Sequence, residues 1–142
     1  FNAYVLDKIT AGKKPTWFYD ATQLHSMTYT RDIGDALAIL GTDPRARGRA
    51  WHLPTASPAL TGEQYMSIAT GSTGHHHTMS ALTMRFGALF NKSARETLEM
   101  AYQYTAPYQF DSSSFEATFA VSPTPYEKGI VDTLAKTTTV RT

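Results

Sequence analysis

The stretch His25-Ser-Met-Thr-Tyr-Thr-Arg-Asp-Ile-Gly-Asp-Ala-Leu37 constrains the fold most, because its hydropathy period changes midway with no loop between. From His25 to Thr30 the larger side chains His25, Met27 and Tyr29 alternate with the small hydroxyls Ser26, Thr28 and Thr30, the period of a half-buried strand. Ile33, Ala36, Leu37 and Leu40 then recur at i, i+3, i+4 and i+7, which predicts a helix with one apolar face. Thr30 is placed to cap that helix, Asp32 suits its electropositive first turn, and Gly41 can close it in the left-handed conformation.

The flanking segments alternate in the same manner. Phe1, Val5 and Ile9 share a helical face with Leu6 beside them, and Gly12 and Pro15 end it. Thr16-Trp-Phe-Tyr19 is rich in β-formers, and residues 20–24 turn it back toward His25, predicting a hairpin. The three arginines Arg45, Arg47 and Arg49 read as solvated loop charges, since no glycine-rich turn before a helix accompanies them. Ala50 to Leu53 predicts a strand, and Thr61-Gly-Glu-Gln64 is a capping box for a helix over 62–70, with Leu60 and Tyr65 as its hydrophobic staple. Beyond Gly71, a strand is expected from His75 to Ala81, followed by a helical face of Leu82, Phe86, Leu89 and Phe90. Ser93 and Glu96 form a second capping box, ahead of Leu98, Ala101, Tyr102 and Thr105 at helical spacing. Tyr108 to Phe110 predicts a last strand. Asp111 caps a helix burying Phe115 and Phe119, and Thr124-Pro-Tyr-Glu127 starts another that turns Ile130 and Leu134 inward, before a tail over 137–142 expected to fray. Short strands among helices predict an α/β class shading to α+β, in one domain over 1–142.

Composition removes several classes of function. Lys and Arg number 13 against 12 Asp and Glu, so a formal charge of +1 gives no electrostatic footprint for nucleic acid or an anionic membrane. With no cysteine there is neither a disulfide nor a thiolate metal site, which fits a cytoplasmic protein. No apolar run reaches the ~20 residues a bilayer-spanning helix needs.

The corner at His25–Gly34 resembles the strand-to-helix pattern Arg-Asp-aromatic-[Ile/Thr]-[His/Tyr]-Val-x-Asp-apolar of extended short-chain dehydrogenases/reductases, the NAD-dependent epimerase/dehydratase family. Gly48 to Leu53, Thr61 to Tyr65, Phe110 to Phe115 and Pro123 to Gly129 are similar to later segments of that family, in its order. The resemblance implies a C-terminal, substrate-binding portion of a Rossmann-type enzyme whose nucleotide-binding half is absent from this chain. It implies NAD or NADP as cofactor of the full-length parent, and epimerase, dehydratase or reductase chemistry on a small-molecule substrate. Within the family a Tyr-x-x-x-Lys pair moves the proton. Tyr4 and Lys8 match that spacing, but they sit on a helix that the resemblance places after the catalytic one. They read as a boundary tyrosine and a solvent lysine, so no catalytic or cofactor-binding residue is assigned here.

Trp17, Tyr19, His25, Met27 and Tyr29 are the candidate substrate-binding residues, because the resemblance sets their two strands beside the substrate cleft. Hairpin core is an equal alternative reading. His75 and His77 would share a strand face, but no Asp, Glu or Cys stands nearby to complete a metal site. In nucleotide-sugar enzymes of the family the first position of the strand is an arginine that pairs with a pyrophosphate; here it is His25. A small or aromatic hydroxyl or carbonyl compound is therefore the expected substrate class. Two other functions remain open: a non-catalytic ligand-binding or regulatory protein on the same lobe, and a self-standing interaction module. A lobe parted from its Rossmann half is also expected to associate with that half or with itself. Residues 1–142 alone are expected to show no NAD(P)H binding in a cofactor fluorescence titration; saturable micromolar binding would contradict the assignment.

Overall fold

The computed structural model describes residues 2–73, 76–90, 95, 98 and 101–139. Phe1, His75 and the capping box at Ser93 and Glu96 lie outside them. A turn of π-helix at Asn2–Leu6 runs into α1 (Asp7–Thr10), and the further helices are α2 (Thr30–Thr42), α3 (Gly62–Thr70), α4 (Ala81–Phe90), α5 (Tyr102–Thr105), α6 (Ser113–Phe119) and α7 (Tyr126–Thr139). The strands are β1 (Thr16–Phe18), β2 (Leu24–His25), β3 (Leu60–Thr61) and β4 (His77–Met79). The described residues form a helix-rich mixture of α and β with two small two-stranded sheets.

The hairpin expected between β1 and the His25 strand does not form. β1 pairs in parallel with β4, Thr16 opposite His77 and Phe18 opposite Met79, while β2 pairs antiparallel with β3, His25 opposite Leu60. The connection explains the divergence. Tyr19 leaves β1 with φ at 59°, and the Asp20 carboxylate then accepts hydrogen bonds from Thr22 N at 2.9 Å, Thr22 Oγ1 at 2.7 Å and Gln23 Nε2 at 2.8 Å. That local turn sends β2 into a second sheet instead of back along β1. Lys8, expected in solvent, donates to Thr16 Oγ1 at 2.6 Å and ties α1 to β1.

The strand expected over His25 to Thr30 stops at His25. Beyond it, Ser26 N donates to Tyr108 O at 2.8 Å and Tyr108 N to Leu24 O at 2.8 Å, a single parallel bridge that is all the expected Tyr108–Phe110 strand becomes. Met27 to Tyr29 carries on without a ladder into α2, whose N-cap position is Tyr29, one residue before the expected Thr30. No side-chain cap is present there. Asp32 instead faces the other helix: its carboxylate accepts Thr124 N and Thr124 Oγ1, both at 2.7 Å, fastening the first turn of α2 to the segment entering α7. Thr124 thus serves a tertiary contact instead of the capping role expected of it, and α7 begins at Tyr126. α2 runs through Gly41 to Thr42 and ends where Asp43, before Pro44, turns extended; a turn of 3-10 helix follows at Pro44–Ala46.

No strand is found over 50–53. The three neighbouring arginines are exposed, as their reading as solvated loop charges has it, and two of them also contact the protein. Arg45 pairs with Asp43 at 2.6 Å and donates to Thr118 O, and Arg49 lies 3.9 Å over the Trp51 ring and donates to Ser114 Oγ. Trp51 in turn packs on Phe115 and Phe119 of α6. The apolar stripe of α4 is turned outward, with Leu82, Phe86 and Leu89 at 66%, 60% and 73% exposure, while Met84 is buried. The main core lies between the π-helical turn Asn2–Leu6, β1, α3 and α7 and is built on Val5, Leu6, Trp17, Tyr65, Met66 and Ile130.

Tyr19 is the bulkiest residue held at positive φ, a conformation that costs a non-glycine residue roughly 1 to 2 kcal/mol. Tyr19→Gly is therefore expected to melt higher than Tyr19→Ala in thermal unfolding, by about 1 kcal/mol, although it removes more atoms. The reverse order would show that the backbone there carries no strain.

Candidate ligand cavity

A cavity of about 340 Å³ opens where the extended run Met27–Tyr29 leads into α2, between α3 and the first turns of α7. Met27, Tyr29, Tyr65, Tyr126, Gly129 and Ile130 form half of its wall, and among the described residues no lining side chain is charged. Each is placed by a specific contact. The capping box expected at the start of α3 is complete, Thr61 Oγ1 accepting Gln64 N at 3.2 Å and Gln64 Oε1 accepting Thr61 N at 2.8 Å, and it sets the phase that turns Tyr65 inward. The Tyr65 hydroxyl donates to His25 O at 2.8 Å, and Tyr126 donates to Ala56 O at 2.5 Å. Their rings meet edge to face, 5.1 Å apart at 84°. The Tyr29 ring rests on Gly129, where a Cβ would stand 3.3 Å from Cγ and Cδ2. Thr28 and Thr133 direct their hydroxyls to Thr55 Oγ1 and Gly129 O.

The five residues singled out from the sequence divide between two places. Met27 and Tyr29 line the large cavity. Trp17, 3% exposed, is stacked parallel to Tyr65 with centroids 6.2 Å apart, and stands edge-on to His25 and Tyr104. His25 is 5% exposed, its ring nitrogens lying 3.0 Å from Gln23 O and 2.7 Å from Gln103 O, so it joins β2 to α5. Tyr19 tilts against Tyr104 at 6.4 Å, and its buried hydroxyl has no hydrogen-bond partner among the described residues. Burial raises its pKa, opposed by the Arg85 guanidinium. A second void of about 20 Å³ lies in this aromatic layer, bounded by Trp17, Phe18, Tyr104 and Met27.

Tyr65, Tyr126 and Gly129 belong to the cavity but read from the sequence only as helix-start residues. The usable signal was position: Tyr65 and Tyr126 each fall in the first turn of a helix opened by a threonine motif, where a side chain reaches back toward the preceding loop.

The lining does not suit a dinucleotide. It lacks a cation for the pyrophosphate, no glycine-rich turn precedes a helix, and parallel pairing among the described residues is limited to β1 with β4 and one bridge. Among the described residues no group of three His, Cys, Asp or Glu side chains converges as a metal site would require, and no helix is long and apolar enough to cross a membrane. Comparison of the chain with protein families, curated proteins and solved structures finds no match.

Burial, reinforced by the adjoining Tyr126 phenol, pushes the Tyr65 pKa far above the ordinary tyrosine value. A folded-state pKa above the unfolded value of about 10 means that the native state keeps a proton the unfolded chain releases. That stabilisation is complete below about pH 10 and is lost as pH rises further. Tyr65→Phe is expected to cost about 1 kcal/mol at neutral pH for the lost bond to His25 O, and to flatten the alkaline decline. Melting curves across the alkaline range check this; an unchanged alkaline slope would show that Tyr65 is not the group responsible.

Proposed function

We propose that this chain is the substrate-binding portion of an NAD(P)-dependent extended short-chain dehydrogenase/reductase, of epimerase, dehydratase or reductase type, acting on a small uncharged hydroxyl or carbonyl compound. The observation that carries the reading is the meeting of Met27 and Tyr29, from the corner that resembles the family, with Tyr65 and Tyr126 around one uncharged cavity. Its volume of about 340 Å³ falls at the small end of ligand sites, which run from about 300 to 1,000 Å³. Tyrosine rings and Met27 supply apolar contact for a ring or short carbon skeleton, and the hydroxyl-rich rim at Thr28 and Thr30 suits an alcohol or carbonyl oxygen.

Charge argues against a nucleotide-sugar. A pyrophosphate needs permanent donors such as an arginine fork, and His25 is occupied between two backbone carbonyls. The cofactor and the proton-transfer pair would belong to the Rossmann half, since the residues present do not fit a dinucleotide; the chain's own share of the work is to bind and orient the substrate.

Two measurements test the reading. The reading frame upstream of Phe1 is expected to encode a glycine-rich turn and a Tyr-x-x-x-Lys pair. Calorimetric titration of that full-length protein is expected to show binding of benzyl alcohol or benzaldehyde that weakens about 3- to 10-fold in Tyr29→Ala, the worth of one aromatic contact. Tight binding of UDP- or dTDP-sugars would overturn the substrate class.

A further inference from the structure

Met27 is the only lining residue common to both voids among the described residues. On one side it faces the cavity of about 340 Å³; on the other it closes the void of about 20 Å³ against Trp17, Phe18 and Tyr104. The smaller space is about enough for a single water molecule and is bordered by the rings of Trp17, Phe18 and Tyr104, so it can take part of an elongated apolar ligand only when joined to the space that the Met27 side chain itself fills. Methionine is unbranched, has three rotatable side-chain bonds and adapts to irregular gaps, which lets this one side chain close both spaces. Met27 is also only half-buried, and its segment has no ladder partner, so its side chain is not locked by a sheet on either face.

We propose that Met27 is the specificity-determining residue that sets the length of ligand this site accepts, separating a one-ring compartment at Tyr29, Tyr65 and Tyr126 from an aromatic subsite at Trp17 and Tyr104. The inference rests on the large cavity being the substrate site, as proposed above. In the native protein Met27 confines a neutral one-ring alcohol or carbonyl compound to the large compartment. With the thioether removed the compartments join, and a two-ring compound reaches the indole of Trp17.

The chain's two tryptophans make the test specific, because Trp17 borders the small void while Trp51 packs on α6. In ¹⁵N–¹H correlation spectra of the full-length protein, benzyl alcohol and biphenyl-4-methanol are titrated against wild type, Met27→Ala and Met27→Val. Val keeps a β-branched side chain suited to the extended backbone and serves should Ala fail to fold. The expected result is that biphenyl-4-methanol binds at least one variant about tenfold more tightly than wild type and shifts the Trp17 indole resonance with Trp51 unmoved. Benzyl alcohol is expected to bind wild type, and to bind both variants more weakly because they lack the Met27 contact, so that preference swings toward the two-ring compound. Equal biphenyl-4-methanol affinity in wild type and both variants, or no response at Trp17, overturns the role of Met27 while leaving the cavity's assignment intact. Failure of benzyl alcohol to bind wild type overturns the cavity's assignment as well.

Discussion

The indole of Trp17 rests directly on the backbone of Gly62 at the start of α3, and much of the molecule's arrangement depends on that approach. A Cβ at Gly62 would clash with Trp17 Cε2 and stand 2.6 Å from Cδ2 and 2.8 Å from Nε1, so only glycine admits the contact. With β1 and α3 this close, Trp17 stacks on Tyr65 one turn along the helix, and His25 and Tyr104 close around the indole edge-on. A buried tryptophan contributes roughly 150 to 250 Å² of contact surface, more than any aliphatic side chain in this core.

The cavity is a consequence of the same stack. Tyr65 has Trp17 on one face and so turns its remaining surface toward Tyr126 and the extended Met27–Tyr29 run. Its hydroxyl reaches His25 O, fixing where the chain leaves β2, and Asp32 holds α2 to the entrance of α7 through Thr124. The helical walls α3 and α7 are thus held in place by two links of long sequence separation, Tyr65 to His25 and Asp32 to Thr124. That arrangement leaves the lining side chains free to be uncharged, and it is the physical basis for reading the space as a site for a neutral compound.

The helices were legible wherever a local signal sets a boundary. The Thr61–Gln64 box gave the start of α3, Gly71 its left-handed end with φ at 68°, and the period through Ile33, Ala36 and Leu40 the extent of α2. Strand pairing was not legible, because partners such as β1 and β4 are joined by register and not by any pattern within either segment. The turn over 20–24 was legible, but not the direction in which it sends the chain, since Tyr19 at positive φ breaks the expectation for a bulky residue. The α4 stripe has helical spacing and still faces outward, because spacing marks a face without saying what it meets. Of the cavity, the sequence yielded Met27 and Tyr29; it could not show that Trp17 and His25 lie a layer below, because depth is a tertiary property.

Gly62→Ala tests the central claim most directly, since local and tertiary physics disagree about its sign. In the first turn of a helix, replacing glycine with alanine ordinarily stabilises by about 0.5 to 1 kcal/mol. Here the methyl group would drive into the Trp17 indole, and overpacking of this kind costs roughly 1 to 3 kcal/mol. Chemical denaturation of the full-length protein with Trp fluorescence is therefore predicted to show a destabilised variant with altered Trp17 emission. A variant as stable as wild type, or more stable, would contradict the account.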